Sequence, residues 1–389
     1  MFTEIRGSNT DRYDHFQVAR GVACLMVFAD HVCGRLSTYL PVANYSPIAP
    51  LIVPIGFPWV WLFLMLSGFL LTKGFAVGRF NLDKMGIMRF SIARMYRLLP
   101  LLWFVGMLWL LLATLGLWGK VLPRPEIWRE VGIAFALPWL PYFQSTNAIS
   151  SMNSPVWSAV VEVHFSLLLP WLFVLIGLSA RRLSILVLLW GAGIAILGIS
   201  VMLSGNPVVF PLIYGSHFYN LGFFLVGGVL ALSPRFSAIK RMPWLVVLLV
   251  AASALLLLQY AAYYNLNATL ALSPLLMLPI WAMVVARCDD SYQAKIPSDW
   301  GGLWRRKRAP LAVLEIIGMM SYSLYLAHKP ISYLLIEWLD LGAYVSGYLG
   351  FFAVTFICLL LSLPVYCALF IYIERRFRFA TSSTNSLYA

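Results

Sequence analysis

Residues 20–31 read RGVACLMVFADH. Gly21 to Ala29 is uncharged and apolar, yet Arg20 opens the run and Asp30 and His31 close it. Arg20 and His31 are eleven residues apart. At about 100° per residue that interval is three helical turns with roughly 20° over, so the two share one face, about 16 Å apart along the axis. Ionisable groups inside an apolar span cost ~2.5–3.5 kcal/mol each on insertion scales, which makes each a functional candidate. The plain alternative is a snorkelling arginine and a satisfied interior histidine.

Three further stretches carry similar groups. SPVWSAVVEVHFS (154–166) holds Glu162 and His164, and SYSLYLAHKPI (321–331) holds His328 and Lys329. ARMYRLLP (93–100) holds Arg94 and Arg97, an i, i+3 pair that shares a face at the expected start of a helix. A histidine near a carboxylate is the arrangement that activates a hydroxyl by general-base action. Guanidiniums converging on one pore suit a polyphosphate, because each can grip phosphate bidentately. The alternatives are a polar cluster that glues helices and ordinary anchoring at the membrane surface.

The elements that position these groups must lie in lipid. Of 389 residues 61% are hydrophobic and 11% charged, and the mean hydropathy is +0.83, so the chain reads as an all-α polytopic membrane protein. Apolar runs predict ten spans, at about 16–35, 55–75, 98–117, 155–178, 183–203, 217–232, 243–264, 270–286, 311–336 and 346–372. An eleventh candidate, Ile127–Leu140, has 14 residues and contains Arg129 and Glu130, which suits an interfacial or re-entrant segment. Residues 1–378 form one transmembrane domain and 379–389 a short polar tail. The first apolar run lacks a small-residue cleavage site and is expected to stay as a helix.

With both termini in the cytoplasm, the inside segments hold 22 of the 28 Lys and Arg residues. The net charge of +13 is therefore an orientation signal, and no nucleic-acid partner is expected. None of Cys24, Cys33, Cys288, Cys358 and Cys367 pairs at metal-ligand spacing, so they read as small buried hydrophobes and no metal is expected. On this topology Asp30, His31, Glu162, His164 and His328 fall in one outer-half layer, while Arg20, Arg94 and Arg97 gather at the inner face.

The sequence resembles the integral-membrane acyltransferase-3 family, which includes bacterial O-acetylases of surface glycans. Arg20 to His31 is similar to the family's Arg-x10-His on its first helix. FLMLSGFLLT (63–72), RFSIARMYRLLP (89–100), NSPVWSAVVEVHF (153–165) and SYSLYLAHKPI (321–331) are similar to four further family segments, in order. The resemblance implies His31 as the catalytic residue with Arg20 beside it. It implies that Arg94 and Arg97 help bind an acyl-CoA donor, and that Glu162 and His328 support the site. The sequence departs from the family pattern at Val163, His164, Ala327 and Lys329.

The expectation is thus an enzyme of the bacterial inner membrane that moves an acyl group, most simply acetyl, from cytoplasmic acyl-CoA to a hydroxyl of an envelope glycan or glycolipid. His31 would act as base, with Glu162 or Asp30 orienting it, or would carry the acyl group itself. A second step would need a separate periplasmic protein. One rival is a non-catalytic membrane assembly or sensor protein, for which the clustered charges have no clear use; the other is a transporter or flippase using the same charges as a proton relay. No internal repeat supports it.

The topology makes a direct prediction. A cysteine placed by Ser151→Cys should react with a membrane-impermeant thiol reagent in intact cells, and one placed by Ser298→Cys should not. The reverse pattern would invert the orientation.

Overall fold

The computed structural model describes residues 14–37, 54–115, 156–204, 216–233, 239, 241–264, 267–289, 309–345 and 347–377. The expected segment Ile127–Leu140, the polar tail and nearly all of the connections 118–154 and 287–310 lie outside them. Every long element among the described residues is helical: α1 (His15–Leu36), α2 (Phe57–Ala76), α3 (Lys84–Thr114), α4 (Val156–Ile176), α5 (Ala180–Ser204) and α6 (His217–Leu232). They are followed by α7 (Trp244–Tyr263), α8 (Asn267–Asp289), α9 (Ala309–Met319), α10 (Ser321–Trp338) and α11 (Tyr348–Leu369). A π-helical turn, Phe370–Glu374, continues α11. Eight of these helices are long and apolar enough to cross a membrane, a bent pair makes a ninth, and α6 is shorter at 16 residues.

All ten expected spans appear as helices, with two differences that matter for the site. The third begins at Lys84 rather than near residue 98, so Arg94 and Arg97 lie in the interior of a 31-residue helix and not at its start. Hydropathy locates only the apolar part of such a helix, because the preceding turns carry Lys84, Arg89 and both arginines. The ninth expected span, 311–336, is broken: α9 and α10 meet at 82° across Met320.

The break leaves the first amides of α10 without intrahelical partners. A buried carboxylate answers this: Glu374 Oε2 accepts the Ser323 amide at 3.2 Å and its hydroxyl at 2.6 Å. An anion at a helix N-terminus also opposes the positive end of the helix dipole. At the start of α1, Asp14 similarly accepts the amides of Phe16 and Gln17, at 3.0 and 3.3 Å.

Close crossings at small residues hold the bundle together, as is usual where lipid removes the hydrophobic drive between helices. Gly21 on α1 lies against the Leu314 carbonyl of α9, and Gly318 on α9 lies against the Gln17 carbonyl of α1. Gly68 and Gly227 make the same exchange between α2 and α6. Lys73 at the end of α2 pairs with Asp289 at the end of α8. All five cysteines are free, four buried and Cys367 half-buried, as expected of small apolar fillers.

A Cβ at Gly318 would fall 1.8 Å from the Gln17 oxygen, whereas one at Gly34 would meet nothing within 4 Å. Gly318→Ala should therefore force α9 off α1 and cost about 1–3 kcal/mol. The measurement is the thermal midpoint of the purified protein, with Gly34→Ala as a control that leaves it unchanged.

Candidate active site

α1 delivers Arg20 and His31 to different neighbours. Arg20 is buried and lines a narrow cleft with Ser67, Arg97, Ser158, Glu162, Tyr322 and Tyr325 among its walls. Val60, Phe63 and Leu64 of α2 supply its apolar side. The cleft thus offers two guanidiniums, one carboxylate and hydroxyls against an aliphatic and aromatic wall.

Arg94 does not line this cleft. Its Nη2 donates to Glu162 Oε1 at 2.9 Å and to Ser166 Oγ at 3.0 Å. Ser67 Oγ donates to the same Glu162 oxygen at 2.8 Å. The charges of Arg20 and Arg97 also act on Glu162. Ser158, Glu162 and Ser166 are spaced four apart, so one face of α4 meets the cleft and Arg94.

The expected outer layer therefore divides into three. Glu162 belongs with the arginines, because α3 starts early and carries Arg94 about 15 Å along its axis. His164, two residues beyond Glu162, is turned about 200° away from it on α4. There its Nδ1 meets His217 Nε2 at 2.7 Å, with the rings stacked 4.9 Å apart. Only Asp30, His31 and His328 of the expected layer come together.

Carbonyl acceptors fix the proton positions in that trio. His328 Nδ1 lies 2.7 Å from the Tyr325 carbonyl, which only accepts, so Nδ1 carries the hydrogen and Nε2 a lone pair. His31 Nδ1 lies 2.9 Å from the Val27 carbonyl, so it too carries its hydrogen. The His328 Nε2 lone pair stands 3.3 Å from that Nδ1, and Asp30 Oδ2 stands 3.6 Å from it. Three acceptors thus surround one N–H, and the basic nitrogen of a neutral His31 is Nε2. His31 and Asp30 are only part-buried, with 21% and 31% of their side-chain surface exposed, so this basic group is reachable.

Tyr325 joins the two regions. Its carbonyl holds His328, while its hydroxyl lies 2.5 Å from Ser158 Oγ in the wall of the cleft. Tyr322, one turn earlier, donates to the Leu98 carbonyl of α3 at 2.7 Å. A basic, partly apolar cleft, connected through Tyr325 and His328 to a histidine with a fixed tautomer, has the groups to hold a charged donor and to deprotonate a second substrate.

The family model described as an acyltransferase domain matches residues 14–369. The chain belongs to the acyltransferase-3 family. It is accordingly a multi-pass membrane acyltransferase. No curated protein and no solved structure matches it.

Several residues of this neighbourhood escaped the sequence reading. Ser158 and Ser166 flank Glu162 at four-residue spacing, a signal the sequence does contain. Tyr325 precedes His328 by three residues and could have been placed on its face in the same way. His217 and Glu374 carried no local signal: one opens a short Gly-rich helix and the other sits beside basic residues at a span's end.

Removing one partner of the Arg94–Glu162 pair should be costly, because the other charge stays enclosed. With Glu162 20% exposed, Arg94→Met should destabilise by about 3 kcal/mol, the lower part of the range for breaking a buried pair. Arg94→Met with Glu162→Leu should recover most of that loss in chemical or thermal unfolding.

Proposed function

We propose that this acyltransferase moves an acyl group, most simply acetyl, from cytoplasmic acyl-CoA to a hydroxyl of a glycan or glycolipid outside the bacterial inner membrane. The observation that carries the reading is the basic nitrogen of His31, fixed in place and linked through His328 and Tyr325 to a cleft walled by Arg20 and Arg97. The two guanidiniums suit the phosphates of the donor, and Val60, Phe63 and Leu64 suit its pantetheine arm. Arg94 acts on the donor indirectly, by holding Glu162 at the cleft wall.

In the direct route His31 Nε2 takes the proton of the acceptor hydroxyl as that oxygen bonds to the thioester carbonyl carbon. When the carbon–sulfur bond breaks, Nε2 returns the proton to the departing sulfur, and the histidine ends neutral. In the covalent route the same Nε2 attacks the thioester carbonyl and expels CoA as its thiolate; the acceptor hydroxyl then attacks the acyl-imidazolium, its proton passing to that thiolate as the C–N bond breaks and the histidine returns neutral. Both routes need Nδ1 protonated, a role that falls to Val27, His328 and Asp30. As the imidazolium forms, Asp30 offsets its charge.

The test is transfer of labelled acetyl to native envelope glycan by membranes carrying each variant at matched levels. His31→Asn should lower transfer by at least ~10²-fold, the usual scale of general-base catalysis, with acyl-CoA binding retained. Glu162→Gln should lower it less, because Glu162 shapes the cleft without touching His31. Arg97→Ala should weaken acyl-CoA binding by the purified protein. Near-normal transfer by His31→Asn would remove His31 from the chemistry.

A further inference from the structure

The polar groups at the His31 end of α1 extend past the His31–His328 pair. α1 and α10 end together: Arg35, in the last turn of α1, pairs with Glu337, in the last turn of α10, at 2.6 Å. Tyr333 lies one turn before Glu337, and its hydroxyl donates to the His31 carbonyl at 3.3 Å. Two cations flank its ring, Arg35 at 5.7 Å and Lys329 at 5.6 Å from the centroid. The charge of Lys329 also reaches His31 and His328. Arg35 and Glu337 are each about a third exposed, and Tyr333 is part-buried.

Each feature narrows what this face can hold. The hydroxyl bond anchors Tyr333 to the backbone of His31, so whatever rests on the ring is held at a set distance from the base. A hydrocarbon chain there would displace water from Asp30, Arg35 and Glu337, each about a third exposed, and return no hydrogen bond, which is unfavourable. A sugar ring meets both demands. Its C–H face packs on an aromatic ring, and its hydroxyls both donate and accept, matching a carboxylate beside a guanidinium.

We propose that Tyr333, with Arg35 and Glu337, forms the subsite that holds the sugar ring bearing the acceptor hydroxyl. The proposal rests on the acyl-transfer reading and assigns the acceptor side of that same site. Tyr333 supplies the platform and the Arg35–Glu337 pair reads ring hydroxyls, while the buried Lys329 ammonium stays against the Tyr333 ring.

The experiment uses the full chain in membranes and, as probe, envelope glycan extracted from the native host lacking this protein. Labelled acetyl transfer is measured as that glycan is titrated at saturating acetyl-CoA, and acetyl-CoA binding is measured separately on purified protein. Tyr333→Ala should raise the glycan concentration for half-maximal transfer at least tenfold and leave acetyl-CoA affinity unchanged. Tyr333→Phe keeps the platform but loses the anchoring bond to His31, and should raise the glycan requirement less than Tyr333→Ala does. Glu337→Gln should also raise the glycan requirement. Should Tyr333→Ala fail to fold, Tyr333→Leu takes its place, with the same expectation. An unchanged glycan requirement in the folded Ala or Leu variant overturns the subsite. If wild type binds acetyl-CoA but acylates no glycan, the glycan reading itself falls and takes the subsite with it.

Discussion

The carboxylate of Glu374 completes a helix that starts in the middle of the protein. Without an acceptor for the first amides of α10, the break at Met320 would leave polar backbone enclosed by apolar side chains, an arrangement that membrane proteins avoid. Because Glu374 supplies that acceptor, α10 can leave α9 at 82° and run on its own course. Tyr322, Tyr325, His328 and Tyr333 all ride on α10, and each touches a different part of the site. An unbroken span continuing the line of α9 would carry these four side chains elsewhere.

Around this bent element the protein separates its charges into two zones. The arginine zone keeps Glu162 as its local counter-ion, and Arg94 is committed to holding that carboxylate. The histidine zone contains Asp30, His31 and His328. Separate zones keep the arginine cluster away from the base, whose nearby cation is Lys329. The partition follows from helix phase: residues four apart on α4 face the arginines, and His164, out of phase, does not.

The apolar segments were legible because a run of about 20 hydrophobic residues has few other uses. The shared face of Arg20 and His31 was legible because an eleven-residue interval needs only helix geometry. The grouping of Glu162 with His31 was not, since depth inferred from topology ignores azimuth, and the turn of about 200° between residues 162 and 164 was the cue that mattered. The start of α3 was hidden because charged helical turns look like connections on a hydropathy scale. The break at Met320 was hidden because its cause lies 54 residues later, at Glu374. A tertiary cap of that kind has no local signature.

Tyr325 serves the two zones through different atoms. Backbone fastens His328, and side chain borders the cleft. A carbonyl in mid-helix is held by its ladder and does not follow the rotamer of its own residue. The phenol ring, by contrast, packs 5.8 Å from the His328 ring while its hydroxyl meets Ser158, so a bulky occupant pressing on that ring would be felt by the imidazole through side-chain packing even as the carbonyl keeps the tautomer fixed.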